Sequence, residues 1–182
     1  MNPSRRQLSL ALALSGLPWS FARSESAPAP VAGLTPSPRL TGQAVLRFFG
    51  LRVYDARLWI GAGSAPDLFE HELFLELRYG VSLKGERIAA RSVDEMVGIG
   101  QGTEAQRQAW GEAMRRLFPD VSSGDRILGQ YTPRGPSRFF HNDRPLGTIE
   151  DPDFGRAFFG IWLDPRTSEP AMRESLLKGF SR

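Results

Sequence analysis

The sequence predicts one α+β domain, in which a large antiparallel sheet is covered on one face by helices. Three patterns support this fold class. Apolar and polar residues alternate along the early segments, which is typical of half-buried antiparallel strands. Apolar residues at helical spacing follow, with recognisable start and stop signals. Further strand-like runs and further helices complete the chain, an order that does not match the regular strand–helix alternation of a parallel sheet.

The first part of the domain is predicted to form three strands. Two β-rich runs, Leu40–Phe49 and Leu51–Ile60, flank Gly50, and a third strand covers Glu72–Tyr79. Because successive side chains of a strand point to opposite faces, the second run divides into two sets. One face carries Tyr54, Ala56, Leu58 and Ile60, and the other carries Val53, Asp55, Arg57 and Trp59. In the third strand, Leu73, Leu75, Leu77 and Tyr79 share a face.

Two helices are predicted next. The first covers Lys84–Ile99, and the second begins at Thr103, where Thr103 and Gln106 have the spacing of a capping box. Pro119 ends the second helix, because proline cannot continue the hydrogen-bonding pattern. Its buried face is predicted to contain Trp110, Ala113, Met114 and Leu117.

The chain then returns to strands and ends in helices. Strands are predicted at Gly124–Thr132, Ser137–His141 and Leu146–Ile149. Asp151 is the predicted N-cap of a helix whose first position is Pro152, where a missing N–H costs nothing. The apolar stripe of this helix consists of Phe154, Ala157, Phe158, Ile161 and Trp162. A last helix is predicted from Ser168 to Lys178.

The N-terminal segment has the pattern of an export signal. Arg5 and Arg6 precede an apolar run, and Met1–Ala22 is predicted to be a signal peptide. Adjacent arginines also resemble a twin-arginine motif, so the general secretory route and the twin-arginine route both remain open. A Pro/Ala/Ser-rich linker is predicted over residues 23–39 and the domain over 40–182. The expected location is the periplasm, with no stable membrane span in the mature protein.

Composition excludes several kinds of function. The formal net charge of +3 falls to about +1 when Arg5 and Arg6 leave, so no nucleic-acid partner is expected. The absence of cysteine excludes disulfides, thiolate nucleophiles and zinc–thiolate sites. His71 and His141 are far apart, and neither has an acidic partner at helical spacing. No metal, cofactor or complete catalytic motif is predicted, and the protein is expected to be a monomer.

Candidate binding residues cluster around the helix that follows the third strand. Arg91, Ser92 and Glu95 share one helical face and would line a cavity if that face closed over the sheet. Trp59 and Tyr79 lie at strand ends and would supply aromatic walls. The alternative is that Arg91 and Glu95 form an ordinary surface ion pair, and that both aromatic residues belong to the core.

The ordered set of segments resembles the chalcone isomerase-like family, particularly its exported bacterial branch. The resemblance rests on Leu40–Trp59, Leu75–Met96, Gly124–Arg126 and Phe154–Leu163, followed by Ser168–Leu177. It covers nearly the whole predicted domain, from about Leu40 to Gly179. The resemblance implies an open-faced β-sandwich, with a ligand cleft between the antiparallel sheet and its helices.

The family contains plant isomerases, which cyclise chalcones, and non-catalytic members that bind fatty acids. The plant enzymes carry a Gly-x-x-Tyr-x-x-Lys stretch at the start of the helix after the third strand. The matching stretch, Gly85–Arg91, has Ile88 in place of the tyrosine and Arg91 in place of the lysine, and a substrate-contacting asparagine falls on Glu95. Isoleucine cannot donate the hydrogen bond that this tyrosine donates in the plant enzymes. The resemblance therefore does not imply isomerase activity.

Fatty-acid-binding members hold the ligand carboxylate with an arginine of the first strand and a tyrosine late in the second. The best local match places these roles on Leu46 and Trp59, which cannot form that clamp. Arg47 is adjacent to Leu46, but a shift of one residue turns a strand side chain to the opposite face. Arg47 therefore remains a candidate site residue without an assigned partner.

These observations favour a periplasmic, non-catalytic binding protein for a small apolar or amphipathic molecule such as a fatty acid. Two alternatives stay open. One is an isomerase of the intramolecular lyase type with a reorganised site. The other is a structural accessory domain whose cleft is filled by its own side chains.

Overall fold

The computed structural model describes residues 27–180. The predicted signal peptide Met1–Ala22 lies outside the described residues. The structure confirms the α+β fold class, with a six-stranded antiparallel sheet packed against helices. The strands are β1 (Arg39–Phe48), β2 (Leu51–Ile60), β3 (Leu73–Tyr79), β4 (Arg126–Tyr131), β5 (Ser137–His141) and β6 (Arg144–Ile149). The helices are α1 (Ala29–Leu34), α2 (Gly85–Gly98), α3 (Glu104–Leu117), α4 (Pro152–Leu163) and α5 (Pro170–Leu176).

The strands lie in the sheet in the same order as in the sequence, from β1 to β6. Every neighbouring pair is antiparallel, and α2 and α3 fill the long connection between β3 and β4. Strand β1 forms one edge of the sheet, where α5 packs against it. The sheet is therefore an open meander.

Alternation along the strands separates the two faces of the sheet as the sequence predicts. Leu58 of β2, Leu75 of β3 and Ile127 of β4 contribute to the main core, together with residues of α2, α3, α4 and α5. The opposite face carries Glu76, whose side chain is buried and accepts a hydrogen bond from Arg126 at 3.3 Å. Burial raises the pKa of Glu76, since a buried carboxylate loses hydration. Helices α2 to α5 thus contribute to the core on one face, as expected.

Helix α4 is more deeply buried than an amphipathic stripe predicts. The whole run Phe154–Leu163 is buried except for Arg156, because the helix lies between the sheet and α2. Asp151 caps its first turn by accepting the backbone N–H of Asp153 at 2.9 Å. A helix that is apolar on nearly all sides is expected at such a central position.

The segment predicted to be a linker, residues 23–39, contains a helix in its described part. Helix α1 places Val31, which is fully buried, against Trp59, Phe74 and Leu128. These three side chains lie on the sheet face opposite the main core. A small second cluster therefore covers one part of that face, and the Pro/Ala/Ser-rich composition gives no indication of it.

None of the helices between residues 27 and 180 is long and apolar enough to cross a membrane.

Candidate functional site

A cavity of about 670 Å³ opens between the helix-covered face of the sheet and helices α2 and α4. It lies at the end of the sheet formed by the β1–β2 hairpin and the C-terminal end of β3. Its walls are largely apolar, with contributions from Leu46, Leu77, Ile88, Ile127, Phe158 and Ile161. Polar side chains contribute from both sheet and helices. The cavity therefore combines an apolar interior with a limited set of hydrogen-bonding groups.

Tyr54 of β2 and Trp162 of α4 are joined by a hydrogen bond at the cavity. The indole nitrogen of Trp162 donates to the hydroxyl oxygen of Tyr54 at 3.0 Å. Burial raises the pKa of Tyr54 to about 12, although this hydrogen bond acts in the opposite direction. The phenol is therefore neutral at physiological pH. Since its oxygen is the acceptor, its own proton is left for another partner.

Tyr79 of β3 lies directly opposite Tyr54 in the sheet register. The two rings meet edge to face, with centroids 6.1 Å apart. Within residues 27–180, no group forms a hydrogen bond with the Tyr79 hydroxyl. Burial strongly raises the pKa of Tyr79, so this phenol is also neutral. Two adjacent phenol groups, each with a proton to donate, thus line the cavity.

Arg91 and Glu95 form an ion pair on α2 at the opening of the cavity. The second carboxylate oxygen of Glu95 accepts a hydrogen bond from the Ser168 hydroxyl at 2.9 Å. Glu95 therefore connects α2 to the segment between α4 and α5. The Arg91 side chain is 71% exposed, so it can reach both solvent and the cavity opening. The neighbouring Ser92 is buried and donates to the backbone carbonyl of Ile88 at 2.9 Å.

Two more arginines lie at the opening. Arg47 of β1 lines it, although strict alternation would place Arg47 on the face opposite Leu46. A register shift between Leu46 and Arg47 interrupts the alternation, so that both residues border the cavity. Arg87 lies one helical turn before Arg91 on α2, and its side chain has no ion-pair partner within residues 27–180.

The structure brings together five of the predicted site residues, namely Arg47, Tyr79, Arg91, Ser92 and Glu95. The prediction that Trp59 lines the cavity is wrong. Trp59 points to the opposite face of the sheet, where it is buried against Val31 and Phe74. The tyrosine of β2 that borders the cavity is Tyr54, whose register partner in β1 is Leu46.

Among the cavity residues that sequence reasoning missed are Tyr54, Arg87 and Trp162. A signal for Tyr54 was present, since alternation along β2 places it on the same face as Leu58 and opposite to Trp59. Trp162 was predicted as core only, and its side chain is indeed 7% exposed. No sequence pattern indicates its bond to Tyr54, because the two residues are 108 positions apart.

The arrangement favours binding over proton transfer. Both phenols keep their protons at neutral pH, so each can donate a hydrogen bond but neither can act as a base. Ile88 lines the cavity as an apolar residue and offers no group for proton transfer. In the part of the chain that the structure describes, no three histidine or acidic side chains are grouped to hold a metal ion.

Comparison with solved structures shows a similar fold in a fatty-acid binding protein of Arabidopsis thaliana. The TM-score is 0.62 at 12% identity, and the match covers 80% of this chain and 89% of that chain. At this identity the likeness concerns the fold alone.

Sequence comparison identifies a protein of Haemophilus influenzae, described as uncharacterised, that is 28% identical over 136 residues. The match covers 75% of this chain and 66% of the relative, so the chain spans slightly less than two thirds of the relative's length. The family model described as chalcone isomerase-like matches residues 39–178, which include every strand and all helices except α1. The chain belongs to the chalcone isomerase-like family.

Proposed function

We propose that this protein is a periplasmic, non-catalytic binding protein for an amphipathic molecule with an apolar tail and an oxygen-bearing head group. The observation that carries the proposal is the cavity, whose apolar walls enclose two neutral phenols with protons to donate. Its volume of about 670 Å³ lies within the range of about 300–1,000 Å³ that is usual for small-molecule sites.

The apolar part of the cavity suits an acyl chain or an aromatic ring. Leu77, Ile88 and Phe158 offer contact area but no hydrogen bonds, so transfer of an apolar group from water would drive binding. The structural neighbour from Arabidopsis is a fatty-acid binding protein. A long-chain fatty acid is therefore the first probe to test.

The head group is expected near the tyrosine pair. A carboxylate or carbonyl oxygen there would accept hydrogen bonds from Tyr54 and Tyr79 without displacing any bond between described residues. Arg87 and Arg91 would supply positive charge at the opening. Buried phenols are neutral donors, so they satisfy a ligand oxygen without adding a charge to the cavity.

The second candidate is the isomerase of the intramolecular lyase type. The two phenols favour it, because hydrogen-bond donors can stabilise a developing oxyanion. An accessory domain, in contrast, is expected to have a cleft filled by its own side chains, and an open cavity of about 670 Å³ does not favour it.

A pair of matched variants tests the binding function. Ile88→Phe places extra volume in the cavity, whereas Val97→Phe makes a similar change at a half-exposed position of the same helix outside it. Titration calorimetry with palmitate should show weaker binding for Ile88→Phe and unchanged binding for Val97→Phe. Native mass spectrometry of the protein from its own host would show whether a small molecule is retained. If neither palmitate nor any retained molecule binds the wild type, the binding function is wrong.

A direct assay separates the two candidates. Incubation with a chalcone should give cyclisation at the uncatalysed rate. A rate above background that falls in Tyr54→Phe would establish the isomerase instead.

The location has its own test. N-terminal sequencing of periplasmic protein should give a start near Arg23, before Leu40. Replacing Arg5 and Arg6 by lysine preserves charge, so export should fail only if the twin-arginine route is used. An intact Met1 in the mature protein would exclude the export proposal.

A further inference from the structure

The β1–β2 hairpin ends in an exposed apolar surface, here called the hairpin tip and defined as residues 45–51. Within residues 27–180, six large hydrophobic side chains are exposed, and four of them belong to this tip. Phe49 is 92% exposed, Leu51 65%, Phe48 64% and Val45 44%. The rings of Phe48 and Phe49 contact each other edge to face. Scattered exposed apolar residues need no explanation, but a contiguous set marks an interaction surface.

The requirements of the fold do not explain this surface. Phe49 and Gly50 form the two-residue turn of the hairpin, with φ angles of 47° and 80°. Both residues of such a turn need positive φ, and asparagine followed by glycine is the preferred pair. A bulky phenylalanine in this conformation is strained. Phe49 is thus unfavourable for the turn, and its ring is exposed to water. We therefore expect Phe49 to contact a binding partner.

The hairpin tip is continuous with the opening of the cavity. Phe48 and Leu51 belong to the tip and also line the cavity, whereas Phe49 does not line it. A molecule that enters or leaves the cavity on this side passes the tip. A surface that contacts the tip would therefore also face the opening.

The hairpin tip and the strand ends beside it carry positive charge and no acidic residue. No acidic residue occurs between Leu40 and Tyr54, where the charged residues are Arg47 and Arg52. Arg52 is paired with Asp55, but Arg47 donates only to the neutral carbonyl of Gly50, at 3.4 Å. Arg87 of α2 lies beside the cavity opening without an ion-pair partner among residues 27–180, whereas Arg91 is paired with Glu95. This positive charge complements an anionic surface.

We propose that the hairpin tip docks on an anionic lipid bilayer and inserts Phe49 with its apolar neighbours at the level of the head groups. Exposed Phe and Leu side chains of peripheral proteins insert at the boundary between head groups and acyl chains, and arginines near it attract anionic lipids. Docking brings the cavity opening to the bilayer surface, from which an acyl ligand enters the cavity. The proposal deepens the proposed function by naming the source of the ligand, and only this last step depends on that function.

Phe49→Asn gives a sharp test, because asparagine suits the turn and Phe49 does not line the cavity. Flotation with phosphatidylcholine vesicles, with and without phosphatidylglycerol, measures docking. Wild type and the control Val97→Asn should bind the anionic vesicles and bind neutral ones less. Phe49→Asn should bind about tenfold more weakly, as expected when one phenylalanine no longer enters an apolar environment. Chemical denaturation should show no loss of stability in Phe49→Asn.

The outcomes separate docking from ligand binding. Palmitate affinity without vesicles should be the same in Phe49→Asn and wild type. If the wild type does not bind anionic vesicles, or if Phe49→Asn binds them as well as wild type, the docking proposal is wrong. It is also wrong if light scattering shows a dimer that Phe49→Asn dissociates, because the tip would then contact a second copy of the chain. If the wild type binds anionic vesicles but not palmitate, the docking proposal stands and the proposed ligand is wrong.

Discussion

Trp162 of α4 donates a hydrogen bond to the hydroxyl oxygen of Tyr54 in β2, with 3.0 Å between the indole nitrogen and the oxygen. The bond joins α4 to the sheet at the wall of the cavity. It fixes the hydroxyl group of Tyr54 as an acceptor toward the helix, which leaves its proton for a ligand. It also places an indole ring in direct contact with the cavity.

Tryptophan fluorescence should therefore report ligand binding through Trp162. Palmitate should change the emission of wild type and of Trp59→Phe, because Trp59 lies on the other face of the sheet. The change should be absent in Trp162→Phe. Trp110 does not line the cavity, and its indole nitrogen donates a hydrogen bond to Asp151 at 2.8 Å. Its emission should therefore be a constant background. A response that disappears in Trp59→Phe would contradict the placement of the cavity.

The tyrosines should ionise at unusually high pH in the folded protein. Burial raises the pKa of all three tyrosines of the chain, that of Tyr54 to about 12. In the unfolded chain the value is about 10. As pH rises above about 10, the unfolded state releases phenol protons that the folded state keeps, so the free energy of unfolding should fall.

Ultraviolet absorbance of tyrosinate measures this difference directly. At a pH between the two values, the denatured protein should show full tyrosinate absorbance and the native protein little. Tyr54→Phe should remove one of the late-titrating groups. A native titration that coincides with the denatured one would mean that the cavity is open to water.

Phe158→Ala should destabilise the protein by about 3–5 kcal/mol, because it removes a buried aromatic side chain and enlarges the cavity. Phe158 is 6% exposed and contacts the rings of Phe118, Phe139 and Phe154. Phe49→Ala makes the same chemical change at an exposed position and should leave stability nearly unchanged. Urea denaturation of both variants gives the comparison, and a loss below about 1 kcal/mol for Phe158→Ala would place α4 outside the core.

Arg91→Ala distinguishes a ligand contact from a surface ion pair. If Arg91 binds the head group, palmitate affinity should fall by about 1.5–3 kcal/mol, the range for hydrogen bonds to charged groups. If Arg91 only pairs with Glu95, affinity should stay constant and stability should change by less than about 0.5 kcal/mol. We expect the first result. Arg115→Ala on α3, away from the cavity, controls for the change in net charge.

Much of the sheet could be predicted because alternation is a local pattern. Leu73, Leu75, Leu77 and Tyr79 lie on the helix-covered face, as their spacing indicates. The capping box of Thr103 and Gln106 forms as predicted, since both hydrogen bonds depend on residues three positions apart. These features need no information from the rest of the chain.

The cavity depends on contacts between distant segments, and prediction there was less successful. The resemblance assigned the carboxylate-binding tyrosine of the second strand to Trp59. Alternation along the same strand already placed Tyr54 on the face opposite to Trp59. The register shift beside Arg47 could not be predicted, because a bulge is defined by two strands together. Helix α1 was missed for a similar reason, since its buried contact is made by the single side chain of Val31.

The position of α4 near the end of the chain determines when the cavity can form. Within β1–β3 and within β4–β6 the connections are short, so each set of three strands can assemble from local hairpins with little loop-closure cost. The part of the sheet's apolar face that α4 covers stays exposed until residues 152–163 have been synthesised and have packed against it. During synthesis and any export, the nascent chain therefore carries an aggregation-prone surface until residues 152–163 cover it.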